Sequence, residues 1–534
     1  MNDMGWENIK GQARRFACTC NDTESIMRNV FVKMALAVLS GMLSFLAFPP
    51  YEFAFLGWVC LVPFFLIFKF QNSFKESFFY GFLAGIVFFG GLLYWLVNVT
   101  VPGMIVLVLF LSLFYGIFGV CTRFVFKFSM DFLMLPFIWV ILEYARGFIF
   151  TGFPWGYLGY TQYQSLNLIQ IADFTGIYGV SFLVVIFNAA VAAIFLRAKR
   201  KVTYMVVALL FIILSISYSI YKFNNYYVSG EFRVSVVQGN IPQELKWDSA
   251  FAEGNITKYM DLTEKTIEDS PDLIIWPETS YPYLVENVND ISEISEFSEG
   301  NKTSLLLGVV RQEKDDYFNS AVLFDDKGEI SGTYKKTHLV PFGEYIPFKK
   351  SFSFLREYID KPIGDFSRGE SYDIFSVKSV RLNSTEQRMT RMTKFYKFGV
   401  LICFEDIFPY IARNLVRQGA DFIVNITNDA WFGKTAAARQ HLQASVFRAI
   451  ENRVPLIRAA NTGVSGFIDS TGEILETVNE DGKEIFVSGI ATRDISTHIG
   501  RSYYTLYGDV FVFFSMGALL CLLIAGKLAM KETK

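Results

Sequence analysis

Charge is scarce in this chain: Asp, Glu, Lys and Arg supply only 19% of its 534 residues, against roughly a quarter in an ordinary soluble domain. The formal net charge is −2, and no basic stripe or aromatic-basic interleaving is present, which excludes a nucleic-acid footprint. Cysteine is sparse too. Six residues, scattered along the sequence, cannot build a disulfide framework. Cys60, Cys121 and Cys521 fall in apolar stretches and are expected as buried small hydrophobes. Cys18 and Cys20 have half of a metal-site spacing, but no second pair or nearby histidine completes it. Histidine occurs three times, at His338, His441 and His498, without an HExxH pattern, so neither a metal nor another cofactor is expected. No GxSxG stands at a strand-to-helix elbow, which makes a serine hydrolase a poor fit. No internal repeat or low-complexity tract is visible.

What the chain has instead is apolar surface. Hydrophobic residues make up 52% and Phe alone occurs 56 times. Runs long enough to cross a bilayer lie at 31–48, 53–70, 80–98, 102–124, 130–149, 175–196, 203–221 and 510–529. The first has no small-residue cleavage site and is followed at once by a second, so a retained helix is expected rather than a signal peptide. The division implied is 1–221 with seven membrane helices, 222–505 as a polar-to-mixed domain, and 506–534 with the eighth helix and a short tail. Loops 49–52 and 98–101 and the stretch 151–174 carry no Lys or Arg. Arg14, Arg15, Lys69, Lys75, Arg123, Lys127, the cluster from Arg197 to Lys201, Lys531 and Lys534 fall on the other side. Positive charge stays cytoplasmic. Both termini are therefore expected inside the cell and the large domain outside the membrane.

Glu143 and Arg146 stand three apart on one helical face. They either pair near an interface or hold a loop or lipid headgroup at the outer surface, since charge at that depth is costly. The aromatic, Gly-rich TGFPWGYLGY that follows suits an interfacial belt or a re-entrant turn under the outer domain.

In the outer region FRVSVVQ (232–238) reads as a strand and 249–268 as a helix. Strands follow at 272–276 and 305–310, and SAVLFDDKGEI (320–330) turns at Asp326, Lys327 and Gly328. Further strands are expected at 395–402, 421–427 and 454–460, helices at 408–417 and 435–451, and a second hairpin in GFIDSTGEIL. This alternation gives a layered α/β sandwich. The stretch 345–390 is the least regular; its Phe348, Phe352, Phe354 and Leu355 form either local core or an apolar arm near the site.

Three polar groups sit at strand ends: Glu278 after LIIWP, a lysine in TYKKTH, and Cys403 after FGVLI. Strand ends are where ligands collect in layered α/β folds. A carboxylate, an ammonium and a thiol form a set for acyl transfer: base, oxyanion partner and nucleophile. Glu344 and Glu405 are further carboxylates expected nearby. Lys335 and Lys336 cannot both face the site, because neighbours on an extended strand point opposite ways, and periodicity does not choose between them. His338 is expected to hold a structural hydrogen bond rather than serve as the thiol's base.

These residues resemble the Glu–Lys–Cys set of the nitrilase superfamily, and with the apolar runs the chain resembles that superfamily's membrane-embedded branch, the apolipoprotein N-acyltransferases. Seven blocks carry the resemblance in order: FTGFPWGYLGYTQ (150–162), VVQGNIPQELKW (236–247), IIWPETSYP (274–282), YKKTHLVPFGEYIPF (334–348), GVLICFED (399–406), NITNDAWFG (425–433) and the long stretch at 438–466. The resemblance implies an αββα sandwich outside the cytoplasmic membrane, with Cys403 as nucleophile, Glu278 as base and Lys336, not Lys335, as oxyanion partner. It gives Glu344 and Glu405 supporting roles, leaves the Phe404 backbone N–H for the oxyanion, and matches Trp247 to a lipid-positioning tryptophan. Glu143 and Arg146 join the candidate substrate-positioning groups. The position after the nucleophile, commonly tyrosine, is Phe404 here, so no phenolic hydroxyl acts there.

The reaction implied is transfer of the sn-1 acyl chain of a phospholipid, typically phosphatidylethanolamine, through a cysteine thioester to the free α-amine of a diacylglyceryl apolipoprotein. No cofactor or metal is implied, the partners are lipids of the bilayer, and a monomer is expected. Two other readings exist. A membrane-tethered carbon–nitrogen hydrolase would need one anchor, not eight spans. A transporter or channel with an outer cap would need polar residues deep in several spans.

Overall fold

The computed structural model describes residues 29–70, 73–128, 130–225, 228–286, 291–341, 343–345, 366–385, 388–498 and 500–532. Cys18 and Cys20, and the Phe348, Phe352, Phe354 and Leu355 segment, lie outside the described residues.

Among the described residues five helices are long and apolar enough to cross a membrane: Asn29–Leu46, Val101–Val125, Ile177–Phe195, Lys201–Asn224 and Val510–Ala529. Helices suit this role because every backbone group is satisfied inside the segment. Ile177–Phe195 is apolar all round and 83% buried, and so forms the centre. Lys201–Asn224 and Val510–Ala529 are only 22% and 17% buried and present apolar side chains outward. The other three apolar runs take different forms. That at 53–70 breaks into Ala54–Gly57 and Val62–Leu66, the second begun by Pro63. That at 80–98 is divided between Phe74–Leu92, which starts earlier, at a Ser73–Glu76 capping box, and the short helix Tyr94–Asn98. That at 130–149 is Asp131–Arg146.

The expectation that the cysteines of the apolar runs are buried holds for Cys60 only. Cys121 is half-buried and Cys521 is exposed on an outer helix. An apolar side chain needs no protein cover where the surroundings are themselves apolar.

The polar region folds as two sheets. The strands are β1 (Val228–Gln238), β2 (Leu273–Ile275), β3 (Leu284–Val285), β4 (Ser304–Glu313), β5 (Asp316–Phe324), β6 (Ile330–Lys335), β7 (Ile374–Thr385), β8 (Arg388–Ile402), β9 (Phe422–Thr427), β10 (Leu456–Ala460), β11 (Gly466–Ile468), β12 (Ile474–Thr477) and β13 (Gly489–His498). One sheet runs β13-β1-β2-β4-β5-β6 with β3 beside β4, and the other runs β12-β11-β10-β9-β8-β7. Strands β1, β2 and β4 are mutually parallel, as are β8, β9 and β10, and antiparallel hairpins extend both sheets. The expected strands and both hairpins are present. Three strands were not foreseen: β3, only two residues long, β7, inside the stretch that reads as least regular, and β13, whose alternation is diluted by Thr and Asp.

Burial explains the layering. Phe232, Val234, Val236, Leu306 and Leu323 of the first sheet meet Phe398, Val400, Phe422, Val424 and Ile457 of the second. On the far side of the first sheet Ile274, Leu305 and Leu307 pack against Ile256, Tyr259 and Leu262 of helix Ala252–Thr266. On the far side of the second, Leu401, Ile423 and Leu456 pack with helices Pro409–Arg417 and Ala437–Asn452, and that core is continuous with the apolar helices. The result is the αββα sandwich, with one outer helical layer shared with the apolar part. Buried polar bonds lock the two together: Arg453 Nε meets Asp173 at 2.9 Å, and Glu451 accepts from the Ile177 N–H at 2.9 Å.

Candidate active site

Four strands of the two sheets end at one edge, and each delivers a polar group there. Beyond β2 the chain carries Trp276, Pro277 and Glu278 across β4. This crossing requires Gly308, because a Cβ at that position would meet the backbone of Pro277, Glu278 and Thr279. Beyond β6 comes Lys336, which is 1% exposed. Beyond β8 comes Cys403, and beyond β9 comes Asn428. Convergence at the carboxyl ends of parallel strands is the expected location for a ligand site.

The structure separates the two lysines. Lys336 Nζ lies 2.9 Å from Glu344 Oε1 and 3.4 Å from Glu278 Oε1. Lys335 points the other way, to Glu313 at 2.7 Å, over the Phe318 ring. Asn319, to which sequence reasoning assigned nothing, bridges both carboxylates, with Nδ2 at 2.7 Å from Glu278 and 2.9 Å from Glu344. The second oxygen of Glu278 accepts from the Asn428 N–H at 2.9 Å, and that of Glu344 from the Val340 N–H at 2.8 Å. Burial by itself would lower the Lys336 ammonium, but Glu344 and Glu278 outweigh it and hold the group above its ordinary value. It is a permanent cation.

Cys403 opens the turn Cys403–Ile407 with φ +53°, in the left-handed region. A non-glycine residue there costs about 1–3 kcal/mol, and the surrounding bonds hold it. Asn425 donates to the Cys403 carbonyl at 3.1 Å. Glu405, two residues on, accepts from the Ile402 N–H at 2.8 Å, the Thr337 N–H at 2.7 Å and the His338 N–H at 3.0 Å, and from the Tyr334 hydroxyl. Glu405 thus ties the cysteine's turn to the lysine's segment; burial raises its pKa, against those hydrogen bonds. The Cys403 thiol is pushed well up, first by burial and then by the Glu278 charge, with Lys336 opposing. At rest it is therefore a neutral thiol beside an acceptor carboxylate. The Phe404 ring packs against Phe408 and Phe153.

His338 holds a structural bond, as its place in the turn suggested: Nδ1 meets the Tyr410 hydroxyl at 3.0 Å and the ring packs, tilted, 3.9 Å from Phe408. Burial, with Arg368 and Lys336, pulls it down to about 4, so it stays neutral. Glu143 and Arg146 are both buried and hold a loop. Glu143 accepts from the Leu158 N–H and Trp139 Nε1, each at 2.8 Å, and Arg146 donates to the Phe153 and Trp155 carbonyls. The loop they brace lies between the apolar helices and helix Ala437–Asn452, with Trp155 5.6 Å from His441. Trp247 is 46% exposed, one residue from the buried Lys246. Lys246 was missed: its Nζ donates to the Glu278 carbonyl at 2.9 Å, and burial brings it down to about 8, against Glu278 and Cys403. Only its adjacency to Trp247 in ELKW could have flagged it. Among the described residues no cluster of His, Cys, Asp or Glu could hold a metal ion.

The geometry thus assembles a thiol, a shared carboxylate and a caged ammonium at one sheet edge, next to the apolar helices. Comparison with known proteins agrees in both halves. Residues 40–190 match the model of the apolipoprotein N-acyltransferase N-terminal domain, and residues 233–498 that of carbon-nitrogen hydrolases. An apolipoprotein N-acyltransferase from Geobacter metallireducens is 37% identical over 92% of this chain and 94% of its own. Those from Rhizobium rhizogenes and Nitrosomonas europaea are 32% and 30% identical, over 89% and 94% of this chain and 94% and 98% of theirs. The chain belongs to the apolipoprotein N-acyltransferase family.

Proposed function

We propose that the protein moves the sn-1 acyl chain of a phospholipid, through a thioester on Cys403, to the free α-amine of a diacylglyceryl apolipoprotein. The observation that carries this reading is Glu278, held by Asn319 and Asn428 beside Lys336 and acting electrostatically on the Cys403 thiol. Glu278 takes the thiol proton as sulfur attacks the donor ester carbonyl. Lys336 and the Phe404 backbone N–H stabilise the oxyanion. When the tetrahedral species collapses, the ester C–O bond breaks, Glu278 returns the proton to the departing lysophospholipid, and the thioester remains. The acceptor amine then attacks, Glu278 removes its proton, and the C–S bond breaks to restore the thiol. Glu344 and Glu405 hold the cation and the nucleophile's turn.

Phosphatidylethanolamine is the proposed donor, Trp247 helps to position lipid at the rim, and Glu143 and Arg146 contribute by fixing the loop beneath the site. The protein acts as a monomer in the bacterial inner membrane. Residues 1–221 form seven spans, 222–505 the periplasmic catalytic domain and 506–534 the eighth span, with both termini cytoplasmic. A partly dry site next to the bilayer suppresses competing hydrolysis of the thioester.

Incubation with phospholipid alone is expected to add one acyl chain to the Cys403 peptide, read by mass spectrometry. Addition of a diacylglyceryl lipopeptide should discharge it. An active preparation that never carries the adduct would sink the thioester route. For orientation, a cysteine introduced as Asn301→Cys, an exposed position, should react with a membrane-impermeant maleimide on intact spheroplasts. Reaction only after permeabilisation would reverse the proposed topology.

A further inference from the structure

A second charged cluster, which the proposed chemistry leaves unused, stands behind the nucleophile. Asp406 lies in the same turn as Cys403 and is fully buried. Its Oδ1 is 2.6 Å from His441 Nε2, and its Oδ2 accepts from Arg458 Nη1 at 2.8 Å and from the Ser445 hydroxyl. The other ring nitrogen of His441, Nδ1, is 3.0 Å from Asp429 Oδ1. Asp429 also accepts from the Thr427 hydroxyl at 3.2 Å, and Arg458 Nη2 lies 3.5 Å from its second oxygen.

Both nitrogens of one imidazole thus face carboxylate oxygens. A neutral ring can donate only once, so satisfying both requires the doubly protonated form. Arg458 Nη2, 3.3 Å from Nδ1, opposes that charge, but the two carboxylates outweigh it. Burial alone would lower His441, yet Asp406 and Asp429 hold it up at about 9. With two carboxylates, one imidazolium and one guanidinium, the cluster is neutral overall. After burial and Glu278, the Asp429 charge also pushes the Cys403 thiol up. Arg448 of the same helix donates to the Asp406 and Ile407 carbonyls, which fixes the turn from below.

The preceding residue anchors the helix to the apolar part. Gln440 accepts from Trp95 Nε1 at 3.0 Å and Trp155 Nε1 at 2.9 Å, and donates to the carbonyls of Pro49 at 3.0 Å and Leu92 at 3.1 Å. The start of helix Ala437–Asn452 is therefore held by four residues of the apolar part on one side and by the nucleophile's turn on the other.

We propose that His441 is a positioning residue for Cys403: as an imidazolium bridging Asp406 and Asp429, it holds the nucleophile's turn on the apolar scaffold and cancels carboxylate charge that would oppose the thiolate. This rests on Cys403 being the nucleophile, and its test does not require turnover. The full-length protein in nanodiscs is alkylated with iodoacetamide across a pH series, and the rate is read on the Cys403 peptide.

His441→Gln is expected to leave the cluster with one excess negative charge and to slow alkylation at a given pH about tenfold, equivalent to one pH unit. Adding Asp429→Asn restores neutrality and should bring the rate back to within about threefold of the native protein. A His441→Gln rate profile that overlays the native one would overturn the proposal, as would a slowing that Asp429→Asn does not reverse. If His441→Gln does not fold, Asp429→Asn alone decides. It should speed alkylation, and an unchanged or slower rate would overturn the proposal. Failure of the acyl-transfer reading would show separately, as an absent acyl adduct on the native protein.

Discussion

Cys403→Ser is expected to abolish acyl transfer, with a loss on the order of 10⁴-fold or more, and to eliminate the acyl adduct formed from phospholipid alone. The change removes one kind of atom and little else. Serine fills nearly the same volume, and its backbone meets the same requirement at φ +53°. The bonds from Glu405 to Ile402 and Thr337, and from Asn425 to the carbonyl of residue 403, do not involve the side chain. The turn should therefore persist, and with it the thermal stability. What changes is the proposed nucleophile. A thiol is within reach of a carboxylate base once the substrate is bound, whereas an alcohol is a far weaker acid and a poorer nucleophile at this pH. The measurement is turnover of a fluorescent lipopeptide together with the mass of the 403 peptide. Activity within tenfold of native would show that the sulfur is not the attacking atom.

Removal of Lys336 is expected to have the second largest effect, and a different signature. Lys336→Ala takes away the cation that lies between Glu278 and Glu344. Loss of an oxyanion partner alone costs about 10²–10³-fold in rate. The substitution also leaves the buried Glu278 and the half-buried Glu344 facing each other without the ammonium between them, a destabilisation of about 3–5 kcal/mol. Lys335→Ala makes the contrast. That lysine is 30% exposed and paired with a 39% exposed Glu313, an arrangement worth about 0–1 kcal/mol. Its turnover should stay within about twofold of native. Turnover and thermal midpoint measured on both variants test the assignment together, and equal losses from the two lysines would refute it.

The contrast between the two lysines also shows where sequence reading stops. That one of the pair faces the site follows from the strand's two-residue period. Which one it is the period leaves open: the family resemblance pointed to Lys336, and the pairing of Ser320 with Lys335 across β5 and β6 is the register that turns Lys335 away. Glu278, Lys336, Glu344, Cys403 and Glu405 were all legible because each matches a residue with a role in the family that the chain resembles, and the fold gathers them. Asn319, Lys246 and Asn428 were not. Each is an ordinary polar residue until strands distant in sequence bring it to Glu278.

The sequence by itself determined the chemistry on offer and the two environments it lives in. Hydrophobic runs require apolar surroundings whatever the details of packing, and alternating strands and helices at this spacing must stack in layers to bury their faces. The tertiary structure alone decided which charges meet. His441 reads as a lone histidine in a helix, and becomes a cation only because Asp406 and Asp429, on turns after two different strands, close on both of its nitrogens. Likewise Glu143 and Arg146 read either as a pair or as braces for a loop, and only the fold selects the second, each bonding the loop between the helices and the sandwich. Electrostatic partners are chosen at distances of about 3 Å, by contacts between residues far apart in the chain, and periodicity carries no information at that range.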